Sequence, residues 1–181
     1  TEPLKIGGDL ILDGQLSLSN VNGGDMELSG NWTHNGTFNP NFRAVRLLGT
    51  ELQTITNNAS LTFDFLEINN TSESGINFEG ELAVNENVIF QDGILTSLNG
   101  EALVFNNGAT SDDGNANSYV NGIVSKIGWT EDVEFTFPVG DYRQVTMDSL
   151  VNVFQPAGLI PDGTNDTAGF DAEYFHENYV P

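Results

Sequence analysis

The sequence predicts an all-β protein: a right-handed parallel β-solenoid (β-helix) over residues 1–127, then a small antiparallel β-sandwich-like module over 128–181. Three observations predict it. Short runs alternate apolar and polar residues; Asn- and Gly-rich turns separate them; and one stretch repeats itself at a fixed interval.

The repeat is clearest at the start. LKIGGDLILDGQL (4–16) and MELSGNWTHNGTF (26–38) align with Leu4 on Met26, Ile6 on Leu28, Gly8 on Gly30 and Leu10 on Trp32. Gly14 then meets Gly36 and Leu16 meets Phe38, every pair 22 positions apart. An interval near 20 residues marks stacked units, each burying its apolar side against its neighbours. ELAVNENVIFQDGIL reads as a third copy, with Leu82, Val84 and Val88 in the places of Leu4, Ile6 and Leu10.

Strand signals follow in order at 9–12, 25–28, 44–48, 53–56, 61–68, 81–84, 87–90 and 102–105. Between them stand Asn22-Gly23-Gly24, Asn35-Gly36, Asn57-Asn58, Asn69-Asn70, Asp92-Gly93, Asn99-Gly100 and Asn107-Gly108, residues that tolerate positive φ in tight turns. No helix-length stretch keeps a 3.6-residue period without a Gly or Asn interrupting it. Blocks near 4–20, 21–41, 42–60, 61–80, 81–100 and 101–127 then make six coils of two or three strands around a dry apolar core. Turns such as Asn35-Gly36 also join antiparallel strands readily, so an antiparallel sandwich is the alternative.

After Lys126 the texture changes. Val133, Phe135 and Phe137 fall on one face, Pro138–Asp141 reads as a turn, 155–169 as a loop and 170–175 as a last strand. Such a unit suits a cap, because an open coil exposes both its core and an unpaired edge.

Composition narrows function. The 181 residues hold no cysteine, so there is no disulfide framework and no thiolate metal site. Five Lys and Arg against 26 Asp and Glu give a formal charge of −21, which repels nucleic acid and anionic membrane faces. No apolar run is long enough for a membrane-spanning helix, and no signal-peptide series is present. The first residues already belong to the repeat, so the sequence reads as a segment of a longer secreted chain.

Several motifs invite chemistry. Asp112 and Asp113 in Ser111-Asp112-Asp113-Gly114 have the paired carboxylates of a β-helix glycosidase, but no accompanying His-Gly or Arg-x-Lys stands nearby. His34 and His176 are too far apart in sequence to define a nucleophile–base set, and the expectation is no enzyme. Asp113, Asn115 and Asn117 stand at alternate positions, the opening rhythm of an oxygen-ligand calcium loop, with Asp112 beside them. Asp162, Thr164, Asp166 and Glu173 match EF-hand positions 1, 3, 5 and 12, yet Thr167 replaces the required Gly and the flanks are not helical. Only a looser calcium site at Asp162 and Asp166 is left. Asn-x-Ser/Thr sequons begin at Asn31, Asn35, Asn58, Asn69, Asn70 and Asn165. Trp32 aligns with inward Leu10 and reads as core, whereas Trp129, at the join between stack and cap, is a candidate for stacking on a sugar. Thr54 and Thr56 supply a single Thr-x-Thr pair, too little for an ice-binding ladder.

SGNWTHNGTF, VRLLGTELQTIT, FLEINN, SYVNGIVSK and FTFPVGDYR follow one another in an order that resembles large secreted surface proteins of Bacteroidetes bacteria. The resemblance covers about residues 4–145. It implies an adhesin-like or scaffold segment, rigid and non-catalytic, whose partners are neighbouring modules of the same chain, surface glycans and components of a type IX secretion system. It further implies O-glycosylation at Thr167 in Asp166-Thr167-Ala168 and at Ser149 in Asp148-Ser149-Leu150. The sorting domain that ends many such chains is not in this sequence. A carbohydrate-binding module of a secreted polysaccharide-degrading protein is the alternative.

Overall fold

The computed structural model describes residues 2–146 and 149–174. Among them there is no helix, and the architecture is a parallel β-solenoid of six three-sided coils with small antiparallel sheets at its C-terminal end. Coil 1 consists of β1 (Leu4–Ile6), β2 (Leu10–Leu12) and β3 (Gln15–Ser17); coil 2 of β4 (Met26–Leu28), β5 (Trp32–His34) and β6 (Thr37–Asn39). Coil 3 takes β7 (Ala44–Leu47), β8 (Gln53–Asn57) and the first half of β9 (Leu61–Asn69). Coil 4 takes the rest of β9, β10 (Ile76–Glu79) and the first half of β11 (Leu82–Asp92). The remainder of β11 opens coil 5, followed by β12 (Leu95–Ser97) and β13 (Ala102–Phe105). Coil 6 is β14 (Thr110–Ser111), β15 (Val120–Asn121) and β16 (Ile123–Trp129).

The predicted pairs are the observed register. Leu4 lies beside Met26, Ile6 beside Leu28, Leu10 beside Trp32 and Leu16 beside Phe38, all in parallel ladders. On the first face the column continues through Val45 and Leu66 to Val88. On the second it runs from Trp32 through Ile55 to Phe78. The third carries Leu61, Leu82, Leu103 and Val124. First and third faces fuse into one sheet because β9 and β11 turn the corner without a break, through a bulge between Val84 and Asn87. At about 4.8 Å per coil the stack is about 30 Å long.

The third copy is therefore displaced from its predicted place. Val88, not Leu82, occupies the column of Leu4, and Leu82 lies on the third face beside Leu61 and Leu103. All three faces are short alternating runs, so period-2 text slides from one face to the next without losing its apolar pattern.

The inward columns are mainly aliphatic and aromatic: Met26, Leu28, Trp32, Val45, Phe63, Phe78 and Phe105 are all fully buried. The core departs from the wholly apolar one predicted. His34, Gln53, Asn70, Ser118 and Lys126 are buried too. Gln53 and Asn70 form a hydrogen-bonded pair under the corner between the first two faces. Asn70 Nδ2 donates to Gln53 Oε1 (2.9 Å) and to the Glu51 carbonyl (2.9 Å), and Gln53 Nε2 donates to the Gly30 carbonyl (2.8 Å). Those bonds satisfy turn carbonyls that would otherwise be buried without partners. His34 Nδ1 bonds Asn57 Oδ1 at 2.9 Å, while its Nε2 and Trp32 Nε1 have no partner among the described residues.

Glycine makes the close stacking possible. A Cβ on Gly30 would overlap the carbonyl of Gly8 and come within 2.6 Å of the Asp9 nitrogen; one on Gly36 would overlap the Gly14 carbonyl oxygen. Outside, polar side chains tie coil to coil. Asn58 donates to Asn35 (2.8 Å) and Asn35 to Asp13 (2.7 Å), and Arg46 bridges Asp25 and Glu67, each at 3.0 Å.

At the C-terminal end β16 runs straight across the expected division between residues 127 and 128. Three antiparallel pairs follow: β17 (Phe135–Phe137) with β20 (Ala157–Leu159), β18 (Gly140–Thr146) with β19 (Ser149–Phe154), and β21 (Asn165–Ala172) with β16. Of the predicted face, Phe137 is buried and Phe135 packs on Phe105, but Val133 precedes the strand and is exposed. Pro138–Asp141 is not a turn: Val139 is buried and bridges Val120 in parallel, extending the second face by one rung. The predicted loop 155–169 contains β20 and the start of β21. Pro156 and Pro161 made that stretch look irregular, yet both lie just outside the ladder and cost it no donor.

Candidate functional site

The site grows from the alternation of β16. Val124, Lys126 and Gly128 point inward from this strand. The inward position that holds Phe63, Val84 and Phe105 in the three preceding coils is held here by Lys126. The residue is only 6% exposed. The ammonium donates to the Asn106 carbonyl (2.8 Å) and the Ile127 carbonyl (3.1 Å) and stands 5.5 Å from the centre of the Phe135 ring. Burial strips water from it and lowers its pKa below the usual lysine value. Among the described residues no carboxylate lies within ion-pairing distance of it, although Lys5 and Arg46 are both paired.

Beside Lys126 is a cleft of about 110 Å³ at the join of stack and cap. Asn107 from the turn after β13, Thr110 of β14, Trp129, Glu134 and Phe135 line it. Trp129, at the end of β16, packs on Phe170 of β21, ring centroids 4.7 Å apart, so the antiparallel strand props the indole. The cleft thus joins an ammonium, an aromatic ring, amide and hydroxyl groups and one carboxylate.

Of the candidate site residues read from the sequence, Trp129 alone lines this cleft. Asp112 accepts the Phe90 amide with both carboxylate oxygens, at 3.1 Å each, tying coil 6 to coil 5. Asn115 donates to the Phe90 carbonyl (2.8 Å) and accepts from the Asn117 amide (2.8 Å). Asp113 sits at φ 71° in the same turn, its amide on Ser111 Oγ. Asp112 and Asn115 therefore hold backbone. Asp166 takes a 3.5 Å contact from Asn107, and Asp162 is exposed after β20. Among the described residues no group of three or more His, Asp and Glu is arranged to hold a metal ion.

Thr167 is exposed on β21. Ser149 opens β19, while Asp148 and His176 lie outside the described residues. Trp32 and His34 are buried together in coil 2, their rings 6.1 Å apart. Asn70 is fully buried against Gln53, so its sequon is out of reach in the folded chain.

Sequence reasoning missed Lys126. The signal was present: in Ile123-Val124-Ser125-Lys126-Ile127 the lysine falls on the same alternate positions as buried Val124. Comparison with known proteins gives no match to a family model, a curated protein or a solved structure.

Proposed function

We propose that this chain is a rigid, non-catalytic segment of a large exported bacterial cell-surface protein, a stalk or adhesin scaffold. One observation carries the reading: the columns run through six coils and reach the N-terminal edge still built for stacking. In coil 2, Gly30 and Gly36 have to be glycine because the coil before them is so close. In coil 1, Gly8 and Gly14 occupy the same columns, yet a methyl on either would meet no atom of the described residues within 4 Å. Leu4 is 42% exposed on the same edge. Both glycines suit a further layer of backbone at that end, as a rod continued by neighbouring modules would provide.

Stacked ladders resist bending, so such a segment holds distal parts of a surface protein away from the cell. Secretion, and export by a type IX system, belong to this proposal. A second reading, a carbohydrate-binding module, is favoured by the cleft at Trp129. An antibody raised against this segment tests the first reading through the mass and whereabouts of the native chain. A surface-attached chain several-fold larger than 19.6 kDa is expected. A free chain close to that size would overturn it.

A further inference from the structure

We infer that the cleft between coil 6 and the cap is a subsite for an acidic sugar, in which a uronate carboxylate meets Lys126 and the pyranose ring packs against Trp129. The inference rests on the adhesive side of the reading above and gives it a ligand class.

Lys126 carries the argument. The chain has five Lys and Arg and 26 carboxylates; Arg43, which is partly exposed, bonds Asn22 and the Asn41 carbonyl and no carboxylate. Lys5 pairs with Glu27, and Arg46 with Asp25 and Glu67. Lys126 instead lies in the core, in a column otherwise filled by apolar side chains, with two main-chain carbonyls as acceptors. An ammonium has three donors, so one has no protein acceptor among the described residues. A packing role alone would be met better by the Phe or Val found in the preceding coils, without the desolvation cost. Beside this donor lie an indole for the face of a sugar ring and the Asn107 amide for its hydroxyl groups, while the Thr110 hydroxyl is held by Asn87 and the Glu86 carbonyl. A carboxylate entering the cleft restores the counter-charge that Lys126 lacks, and a neutral hexose does not.

Two features oppose an anionic ligand: the formal charge of −21 and Glu134 in the cleft wall. Long-range repulsion between exposed charges is screened by salt, whereas the contact with a buried ammonium is screened far less. Binding is therefore expected to strengthen as salt rises from low to physiological ionic strength, opposite to an exposed basic patch.

The test titrates the isolated chain, in a Trp32→Phe background so that fluorescence reports Trp129, with oligogalacturonate and with a neutral cello-oligosaccharide. Saturable binding of oligogalacturonate is expected, with at least about tenfold weaker binding in Lys126→Met. Glu134 is exposed, so Glu134→Gln keeps the test decisive should Lys126→Met not fold; removing that charge is expected to tighten oligogalacturonate binding about threefold. The inference is overturned by no saturable change with oligogalacturonate, by equal affinity for the neutral oligomer, or by unchanged binding in either variant. Failure here leaves the cell-surface test of the rod untouched, because the parent chain plays no part in the titration.

Discussion

Gly30→Ala and Gly8→Ala put the same methyl in the same column one coil apart, and only one of them should matter. At Gly30 the new Cβ would overlap the Gly8 carbonyl and lie 2.6 Å from the Asp9 nitrogen, against a comfortable contact near 3.5–4 Å. These neighbours are backbone, so no side chain can swing away. Relief requires coil 2 to lift from coil 1 by about 1 Å, which is the difference between those two distances. That movement strains two bonds beside it, Leu10 N to Asn31 O (2.8 Å) and Ser29 N to Ile6 O (3.0 Å). Overpacking of this kind costs about 1–3 kcal/mol and each weakened hydrogen bond about 1 kcal/mol. Replacing glycine returns about 0.4–1 kcal/mol by restricting the unfolded chain. The expected net loss for Gly30→Ala is about 2–5 kcal/mol, and Gly8→Ala should lose no stability. Urea unfolding followed by circular dichroism measures both, with the m-value checked for constancy. Equal costs at the two positions, or a neutral Gly30→Ala, would refute the account of coil stacking given above.

Three further predictions concern single side chains. Asn70→Ala strands the Glu51 carbonyl and the Ser72 amide under a corner, while Gln53 Oε1 keeps the Gly49 amide, and should cost about 2–4 kcal/mol in the same unfolding assay; a loss below about 0.5 kcal/mol would mean that water takes over the amide's role. Phe42 holds φ 56° with its ring 65% exposed, so Phe42→Gly should raise stability by about 1 kcal/mol, and a loss of stability would show that the ring contributes more than its backbone strain costs. Lys126 has its folded-state pKa depressed by burial, so the unfolded chain binds the proton more strongly. The resulting destabilisation is full below the folded pKa and is relieved as pH rises towards the ordinary lysine value of 10.5. Parent stability measured relative to Lys126→Met should accordingly climb between neutral pH and 10.5, and a flat difference would contradict the burial of a charged ammonium.

Much of the first two coils was legible because two glycine columns pinned the alignment: with Gly8 over Gly30 and Gly14 over Gly36, the apolar pairs between them followed at one spacing. Later coils lose that punctuation. Met26 and Val45 are 19 positions apart and Leu95 and Val120 are 25, so no single interval carries the register onward. β10 was overlooked because it is four residues long and follows a Ser- and Gly-rich turn. Gln53 and Asn70 read as a strand start and a turn residue; only the three-dimensional corner, 17 positions wide in sequence, makes them partners. For the cleft, Trp129 was visible as an aromatic at a change of texture. Lys126 was hidden by the habit of treating charge as surface, although its alternation with Val124 put it in the inward phase of the strand.

The direction of the hydrogen bonds has a mechanical consequence. Neighbouring strands bond along the stack axis, so tension applied between the ends loads the coils in series, and the terminal one carries its own bonds alone. Coils should then peel off singly instead of yielding together. Each releases about 20 residues, whose extended contour is about 70 Å, in exchange for about 4.8 Å of stack. A rod that keeps its length against bending and compression thereby becomes, under pull, a shock absorber that lengthens in steps while the coils still stacked keep their grip.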